Sequence, residues 1–345
     1  MNLYDINSYD YPIPQSLIAG SPPLKRDLSR LMRLDKTTGE ISHRRFSDLP
    51  DMLREGDVLV MNDARVFKAR VHGKKIPGGA RVEIFFLSPA DAPNAWRALV
   101  RPGRKLPPGS KADTGYCALT IGGRRKDGGR DVILPDGARA DELFARCGRV
   151  PLPPYIKHSD APEERYQTVY ADPAKNRSVA APTAGLHFTP ELLGELRNRG
   201  VAAEFLTLDV GIGTFRPVRT NDIRDHEMHA ETCAIPEPCA RRINEAKSSG
   251  RRIIAVGTTV VRTLESFAGP SGWLSHGARE TDIFITPGYR FKVPDAVVTN
   301  FHLPKSTLLM LVAAFAGYDA TMRAYAEAVS EEYRFFSFGD AMLIE

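Results

Sequence analysis

The chain has 345 residues, with 47 Lys+Arg against 42 Asp+Glu, a formal charge of +5, and 42% hydrophobic beside 26% charged residues. That is globular composition, which excludes a disordered tail, a collagen-like chain and a low-complexity segment. At roughly 150 residues per domain the length predicts about two domains, neither of which needs disulfides or metals merely to fold. Cys117, Cys147, Cys233 and Cys239 form no Cys-x-x-Cys pair and are expected as reduced thiols. The first 16 residues lack the basic and apolar regions of a signal peptide, and the longest apolar run, 308–316, is too short to cross a bilayer. A soluble cytoplasmic protein is the expectation.

In chain order, the buried strand 57–61 comes first. Residues 66–149 then hold 17 Lys+Arg against 8 Asp+Glu and 12 of the 28 glycines. The glycines punctuate short β-rich runs at 81–87, 95–101, 116–121 and 131–134, a pattern that predicts a small barrel. Beyond it the pattern lengthens into helices at 190–199, 238–248 and 258–267 around a buried strand at 252–256. The predicted fold is an α/β large domain, discontinuous over residues 1–65 and 150–345, with an inserted basic β-barrel domain at 66–149. The Pro151-Leu152-Pro153-Pro154 stretch forms a stiff re-entry.

Five constellations carry candidate chemistry. In Thr183-Ala184-Gly185-Leu186-His187-Phe188, small residues permit close approach of a ligand, and Thr189 with Pro190 reads as the cap and first residue of a helix. His187 is either an acid/base or a loop histidine held by hydrogen bonds. In Asp209-Val210-Gly211-Ile212-Gly213-Thr214, glycines let backbone amides reach a ligand, but the third glycine of a dinucleotide fingerprint is missing. Asp209 reads as a ribose ligand, a base or a turn carboxylate.

His226, His229 and Glu231 form a polar wall able to bind substrate or position a base; the spacing is not His-Glu-x-x-His, and a metal is disfavoured. Ile253 to Val256 leads through Gly257 into Thr258 and Thr259, a strand, glycine and hydroxyl-capped helix suited to an anionic ligand group; the Walker lysine is absent. Arg262 and Glu265 share one face of that helix, and their plain reading is a mutual ion pair. Last, Asn300, His302, Lys305 and Ser306 precede an apolar helix, while the aromatic cluster Tyr333 to Phe338 reads as core packing.

Together with Asp27-Leu28-Ser29-Arg30-Leu31, Gly56-Asp57-Val58-Leu59-Val60-Met61-Asn62-Asp63, Pro151 to Ile156 and Glu164-Arg165-Tyr166-Gln167-Thr168-Val169-Tyr170, these strings resemble the S-adenosylmethionine:tRNA ribosyltransferase-isomerase family of queuosine biosynthesis. The resemblance spans nearly the whole chain. It implies an α/β large domain and a small β-barrel. It also implies transfer and isomerisation of the ribosyl part of S-adenosylmethionine onto 7-aminomethyl-7-deazaguanine at the tRNA wobble position. The product would be epoxyqueuosine, with adenine and methionine released.

On that resemblance the catalytic candidates are His187, Asp209, His226, His229, Glu231 and His302, with His187 or His229 as the base. Thr183, Gly185, Gly213, Thr214, Gly257, Thr258, Thr259, Arg262, Asn300, Lys305 and Ser306 would bind S-adenosylmethionine, with no metal. Lys25, Arg26, Arg30, Arg97, Arg101, Arg104, Lys105, Arg124, Arg125 and Lys126 would meet tRNA phosphates. A monomer is expected. The chain departs from the family pattern at Ala64, Arg177, Asp209, Val260 and Glu280, where Thr, Gly, His, Ser and Trp are usual. The competing readings are a transferase of the same fold with a non-tRNA acceptor, and a non-catalytic RNA-binding protein. Turnover of S-adenosylmethionine separates the latter from both enzymes.

Overall fold

The computed structural model describes residues 2–125, 128–153, 155–156, 161–211, 213, 218 and 220–345. Two compact units emerge. The larger takes in Met1–Ala64, Pro153–Lys175 and Ala181–Glu345; the smaller takes in Arg65–Leu152 and Asn176–Ala180.

The smaller unit is a closed six-stranded antiparallel barrel. Its strands run in the order Arg70–Ile76, Arg81–Pro89, Ala95–Arg101, Arg130–Ile133, Ala118–Arg124, Lys111–Asp113, and the last pairs back onto the first through Lys74 with Asp113 and Ile76 with Lys111. Closure brings backbones together tightly: a Cβ on Gly73 would lie 2.6 Å from the Asp113 carbonyl oxygen, so glycine is required there. Alternation along the strands sends Val71, Ile84, Ala98, Leu119, Ile121 and Val132 inward. Helix Ala140–Cys147 inserts Phe144 against Phe67, Phe86 and Trp96. The segment Asn176–Ser178, which pairs with Arg65–Val66, carries no barrel signal in its sequence and yet belongs to this unit.

The larger unit is built on a nine-stranded mixed sheet. Four adjacent strands at its centre, Ala202–Leu208, Val58–Asn62, Ile253–Val256 and Ala296–Asn300, are parallel. The last three are buried along their whole length, as a parallel sheet covered on both faces requires, whereas Ala202–Leu208 alternates. Leu59, Met61, Ile254, Val256 and Val298 pack with Phe188, Leu192 and Leu196. Helix Pro190–Asn198 begins as predicted, with the Thr189 hydroxyl accepting from the Leu192 amide at 3.1 Å and Pro190 in the first turn. Tyr333, Phe335, Phe336 and Phe338 are buried, and Phe301 packs against Tyr333 and Phe335. All four cysteines are free thiols. Among the described residues, no helix is long and apolar enough to cross a membrane.

Candidate active site

The parallel strands end side by side at Asn62, Leu208, Val256 and Asn300, and the carboxyl ends of parallel strands are where α/β sheets bind ligands. Asp209 follows the first strand of the row, and Gly257, Thr258 and Thr259 follow the third. On one flank, antiparallel pairing of Leu208 with Cys233 brings Glu231, the first residue of its strand, to the same edge. On the other flank Asn300 pairs with Ala341 and Ala341 with Leu31, which delivers Ser29. Residues from every predicted constellation therefore gather along one sheet edge.

The edge is stitched by side chains. Asn62 acts as an extra strand partner: its amide nitrogen donates to the Leu208 carbonyl at 3.0 Å and its oxygen accepts from the Leu208 amide at 3.1 Å. The same nitrogen lies 3.4 Å from the Thr259 hydroxyl. Asp63 accepts from the Thr207 hydroxyl at 2.8 Å and pairs with Lys175.

His187 sits in a directed chain of hydrogen bonds. The Thr183 hydroxyl lies 2.8 Å from the Asn300 amide oxygen, and the Asn300 amide nitrogen lies 3.1 Å from His187 Nε2. Nδ1 lies 2.7 Å from the Ser29 hydroxyl, which donates to the Arg26 carbonyl at 3.2 Å. Since Asn300 nitrogen is a donor and the Ser29 proton is committed, Nδ1 carries the imidazole proton and Nε2 accepts. The ring is 3% exposed, stacked on Phe46, and lowered to about 3 by burial, with Arg334 and Arg26 adding repulsion. His302 is lowered to about 3 by burial, with Nε2 at 2.9 Å from the Thr299 hydroxyl.

Helix Thr258–Phe267 differs from its predicted cap. Gly257, at φ +95°, occupies the cap position, and no side chain closes the helix start. Glycine is needed for that backbone conformation. The predicted Arg262–Glu265 pair is also absent. Glu265 instead accepts from the Tyr289 hydroxyl at 2.8 Å and from the Lys292 and Val293 amides at 2.9 and 3.0 Å. Arg262 pairs through Nη2 with Glu231, whose other oxygen accepts from the Gly211 amide at 2.9 Å. The residue is 3% exposed, and its Nε and Nη1 have no partner among the described residues. Buried donors of this kind are costly unless something meets them.

His226 and His229 shortly precede Glu231 in sequence and lie close to one another in space. Burial and then the neighbouring His229 lower His226, which also packs edge-on against Phe284 at 5.4 Å. His229 is exposed and closely approaches Gly213, where an added Cβ would sit 2.8 Å from the His229 Cβ. Among the described residues no group of three metal-capable side chains forms.

Other predicted residues are employed elsewhere. Lys305 reaches Asn7 and Asp10, each at 3.0 Å, and Ser306 caps the helix Thr307–Ala316 by accepting from Leu309. Arg26 donates to the Leu186 and Glu164 carbonyls, and Arg30 stacks on Tyr333 and faces Glu331. In the barrel Arg125 pairs with Asp131 at 2.8 Å and Arg97 is half-buried, whereas Arg101, Arg104, Lys105 and Arg124 are exposed, as is Lys25 in the larger unit. Thr214 and Lys126 lie outside the described residues. Of the departures from the family pattern, Ala64 and Val260 are fully buried, and Arg177 and Glu280 are exposed.

Comparison with known proteins decides the family. The family model described as "Queuosine biosynthesis protein" matches residues 6–344. The chain belongs to that family. It is 51% identical over 346 residues, covering 100% of both chains, to the S-adenosylmethionine:tRNA ribosyltransferase-isomerase of Pelotomaculum thermopropionicum. It is 48% identical to that of Natranaerobius thermophilus, over 99% of each chain. A crystal structure of S-adenosylmethionine tRNA ribosyltransferase from Thermotoga maritima matches with a TM-score of 0.56 and 37% identity, covering 98% of this chain and 100% of the other. As a member of the queuosine-biosynthesis family the chain is an enzyme, a ribosyltransferase-isomerase.

Several residues at the family's sheet edge escape sequence reasoning. Ser29, Asn62 and Asp63 lie in strings quoted only for their resemblance. So do Thr168 and Tyr170, whose buried hydroxyls have no partner among the described residues, and the Tyr170 hydroxyl lies 1.9 Å from where a Gly185 Cβ would stand. The Tyr-x-Thr-x-Tyr spacing, with hydroxyls two apart, is the signal that was available.

Proposed function

We propose that the enzyme transfers and isomerises the ribosyl moiety of S-adenosylmethionine onto the aminomethyl group of 7-aminomethyl-7-deazaguanine at the tRNA wobble position, yielding epoxyqueuosine, adenine and methionine. The observation that carries the reading is the convergence of residues from the five constellations on the carboxyl edge of the parallel strands, with a buried arginine whose Nε and Nη1 have no partner among the described residues. That arginine fits the ligand: S-adenosylmethionine ends in a carboxylate, and guanidinium donors bind carboxylates strongly when water is excluded. Thr258 and Thr259 supply helix-start amides to the same anion, with Glu231 fixing the arginine.

The sulfonium of S-adenosylmethionine acidifies the neighbouring ribose C5′ hydrogens, so a base within hydrogen-bond reach starts the rearrangement. Both nitrogens of His187 are already engaged, and its buried ring is neutral near pH 7, so its part is to orient Asn300 and the Thr183 hydroxyl toward the ligand. His229, exposed beside Gly213 with His226 and Glu231 near it, is the residue we assign as base. Asp209 faces the ribose hydroxyls, where its carboxylate accepts two hydrogen bonds in place of the family's histidine. Exposed cations on the barrel and Lys25 attract tRNA phosphates. The test is incubation with S-adenosylmethionine and tRNA bearing the 7-aminomethyl-7-deazaguanine base. Nucleoside mass analysis is expected to show an epoxycyclopentanediol adduct with stoichiometric adenine, and adenine release without modified tRNA would overturn the acceptor.

A further inference from the structure

In the segment Ser21-Pro22-Pro23-Leu24-Lys25-Arg26, Leu24 has no role in the chemistry above, and it is unusual. Leu24 is 96% exposed. A lone exposed leucine means little on a protein surface. This one differs because its backbone is pinned while its side chain touches nothing that would bury it. Arg165 donates from Nη1 to the Leu24 carbonyl at 3.0 Å and from Nη2 to the Pro23 carbonyl. Arg334 reaches the Ser21 carbonyl at 3.4 Å, and two prolines fix their own φ angles. Two residues beyond Leu24, Arg26 is bound to the Leu186 carbonyl, and its own carbonyl receives the Ser29 hydroxyl that touches His187. The leucine thus stands on a rigid strut anchored to the catalytic sheet edge.

Charge states which kind of partner suits it. Lys25 is exposed beside the leucine, and Arg26, Arg165 and Arg334 lie around its base, with Asp27 the one acid in the run from Ser21 to Leu28. An apolar prong ringed by cations matches a polyanion whose apolar faces have been exposed, which describes unstacked nucleobases in a single-stranded RNA loop. A base that undergoes chemistry at a sheet-edge pocket must leave its stack, and the vacated face needs a substitute.

We propose that Leu24 is a wedge that packs against the nucleobase next to the modified one, in the gap left when the target base turns into the site, with Lys25 on the adjoining phosphate. This inference rests on the tRNA reading above. Leu24 adds contact to RNA only, so its removal is expected to act on tRNA and not on S-adenosylmethionine.

The experiment compares the full-length enzyme with Leu24→Ser, Leu24→Ala and Leu24→Phe, using tRNA carrying the 7-deazaguanine base and, for binding, the same anticodon stem-loop with 2-aminopurine beside it. In Leu24→Ser, KM for tRNA is expected to rise roughly tenfold, with Leu24→Ala between it and the parent and Leu24→Phe near the parent. The 2-aminopurine signal on binding should change in parallel. KM for S-adenosylmethionine and the unfolding midpoint should not move, because Leu24 packs against nothing. Unchanged tRNA kinetics in both the Ser and Ala variants would overturn the wedge while leaving the functional reading intact. A fall of several degrees in the midpoint of Leu24→Ser would overturn it too, by making the leucine part of the fold. A parent enzyme that does not turn over the tRNA at all would sink the functional reading itself.

Discussion

The two edges of the large sheet both hold charged groups and use them differently. At the edge opposite the site, Arg252 donates to both oxygens of Asp57, at 3.0 and 2.6 Å, and to Glu345 at 2.7 Å, while Arg33 takes the other Glu345 oxygen at 2.6 Å. A cleft of about 590 Å³ opens there between Arg33, Arg44, Asp48 and Arg54, yet Arg33 and Glu345 in its wall are already paired. At the carboxyl edge Arg262 has, among the described residues, one partner and two unanswered donors, and no side chain caps the helix that carries it. Charges that close on one another hold a fold; charges left open mark where a ligand completes the set.

That contrast is broken most directly at its two arginines. Arg262→Met strips Glu231 of its countercharge in a dry site, and is expected to destabilise by about 3–5 kcal/mol in denaturant unfolding. Arg262→Lys keeps the charge but not the fork, so it should fold while its KM for S-adenosylmethionine rises roughly 10- to 100-fold. A lysine variant with unchanged KM would make the pair structural, like its counterpart across the sheet. Arg252→Ala is the mirror experiment. Its guanidinium is partly solvated, so a loss of about 2 kcal/mol is expected, with KM for both substrates unaltered.

The histidines sharpen the comparison in a second way. Unfolded, the His187 imidazole takes a proton near 6.5; folded, it holds out to about 3. Between those values the unfolded state binds more protons, so stability that is complete above pH 6.5 is lost as pH falls toward 3, by about 1.4 kcal/mol per pH unit for this group. His187→Gln should flatten the acid slope of the unfolding free energy by about that amount. If His229 is the base, the same variant should lower kcat and leave the acid limb of the kcat/KM profile at its original pH, whereas His229→Gln should abolish that limb. A shift of the limb in His187→Gln alone would return the base to His187.

Sequence showed some of this and hid the rest for physical reasons. The barrel was legible because glycine spacing and charge density are local properties, and the buried strands because unbroken aliphatic runs have one good use. Thr189 was readable as a cap since a hydroxyl before proline leaves few options. The partners of Arg262 and Glu265 were not, because helical spacing made them neighbours while burial sent each to a residue far along the chain, Glu231 and Tyr289. Lys305 looked like a pocket residue for the same reason: its true partners, Asn7 and Asp10, lie almost the whole chain away. The Asn300, His187 and Ser29 chain joins three distant strings, and only the sheet register could bring them together.

The smallest expected effect separates open from closed charges within the barrel. Arg130 is buried, with its guanidinium on the Gly103 and Gly122 carbonyls, and Arg125 is paired with Asp131. Arg130 thereby fastens the turn Gly103–Lys105 beside the strand Ala118–Arg124, so that exposed Arg104, Lys105 and Arg124 share one region of the barrel surface. Each cation that contacts a phosphate releases counterion and contributes roughly 0.7–0.9 to the slope of log affinity against log salt. Replacing Arg104 and Lys105 together by Gln is therefore expected to reduce that slope by about 1.4–1.8 in tRNA binding titrations, with only a several-fold loss near physiological salt. Arg125→Gln, which opens a closed pair and frees an aspartate, should leave the slope unchanged. Equal slopes in all three proteins would mean that the barrel's positive field serves solubility and not tRNA, and that the open-versus-closed distinction holds only at the sheet edge.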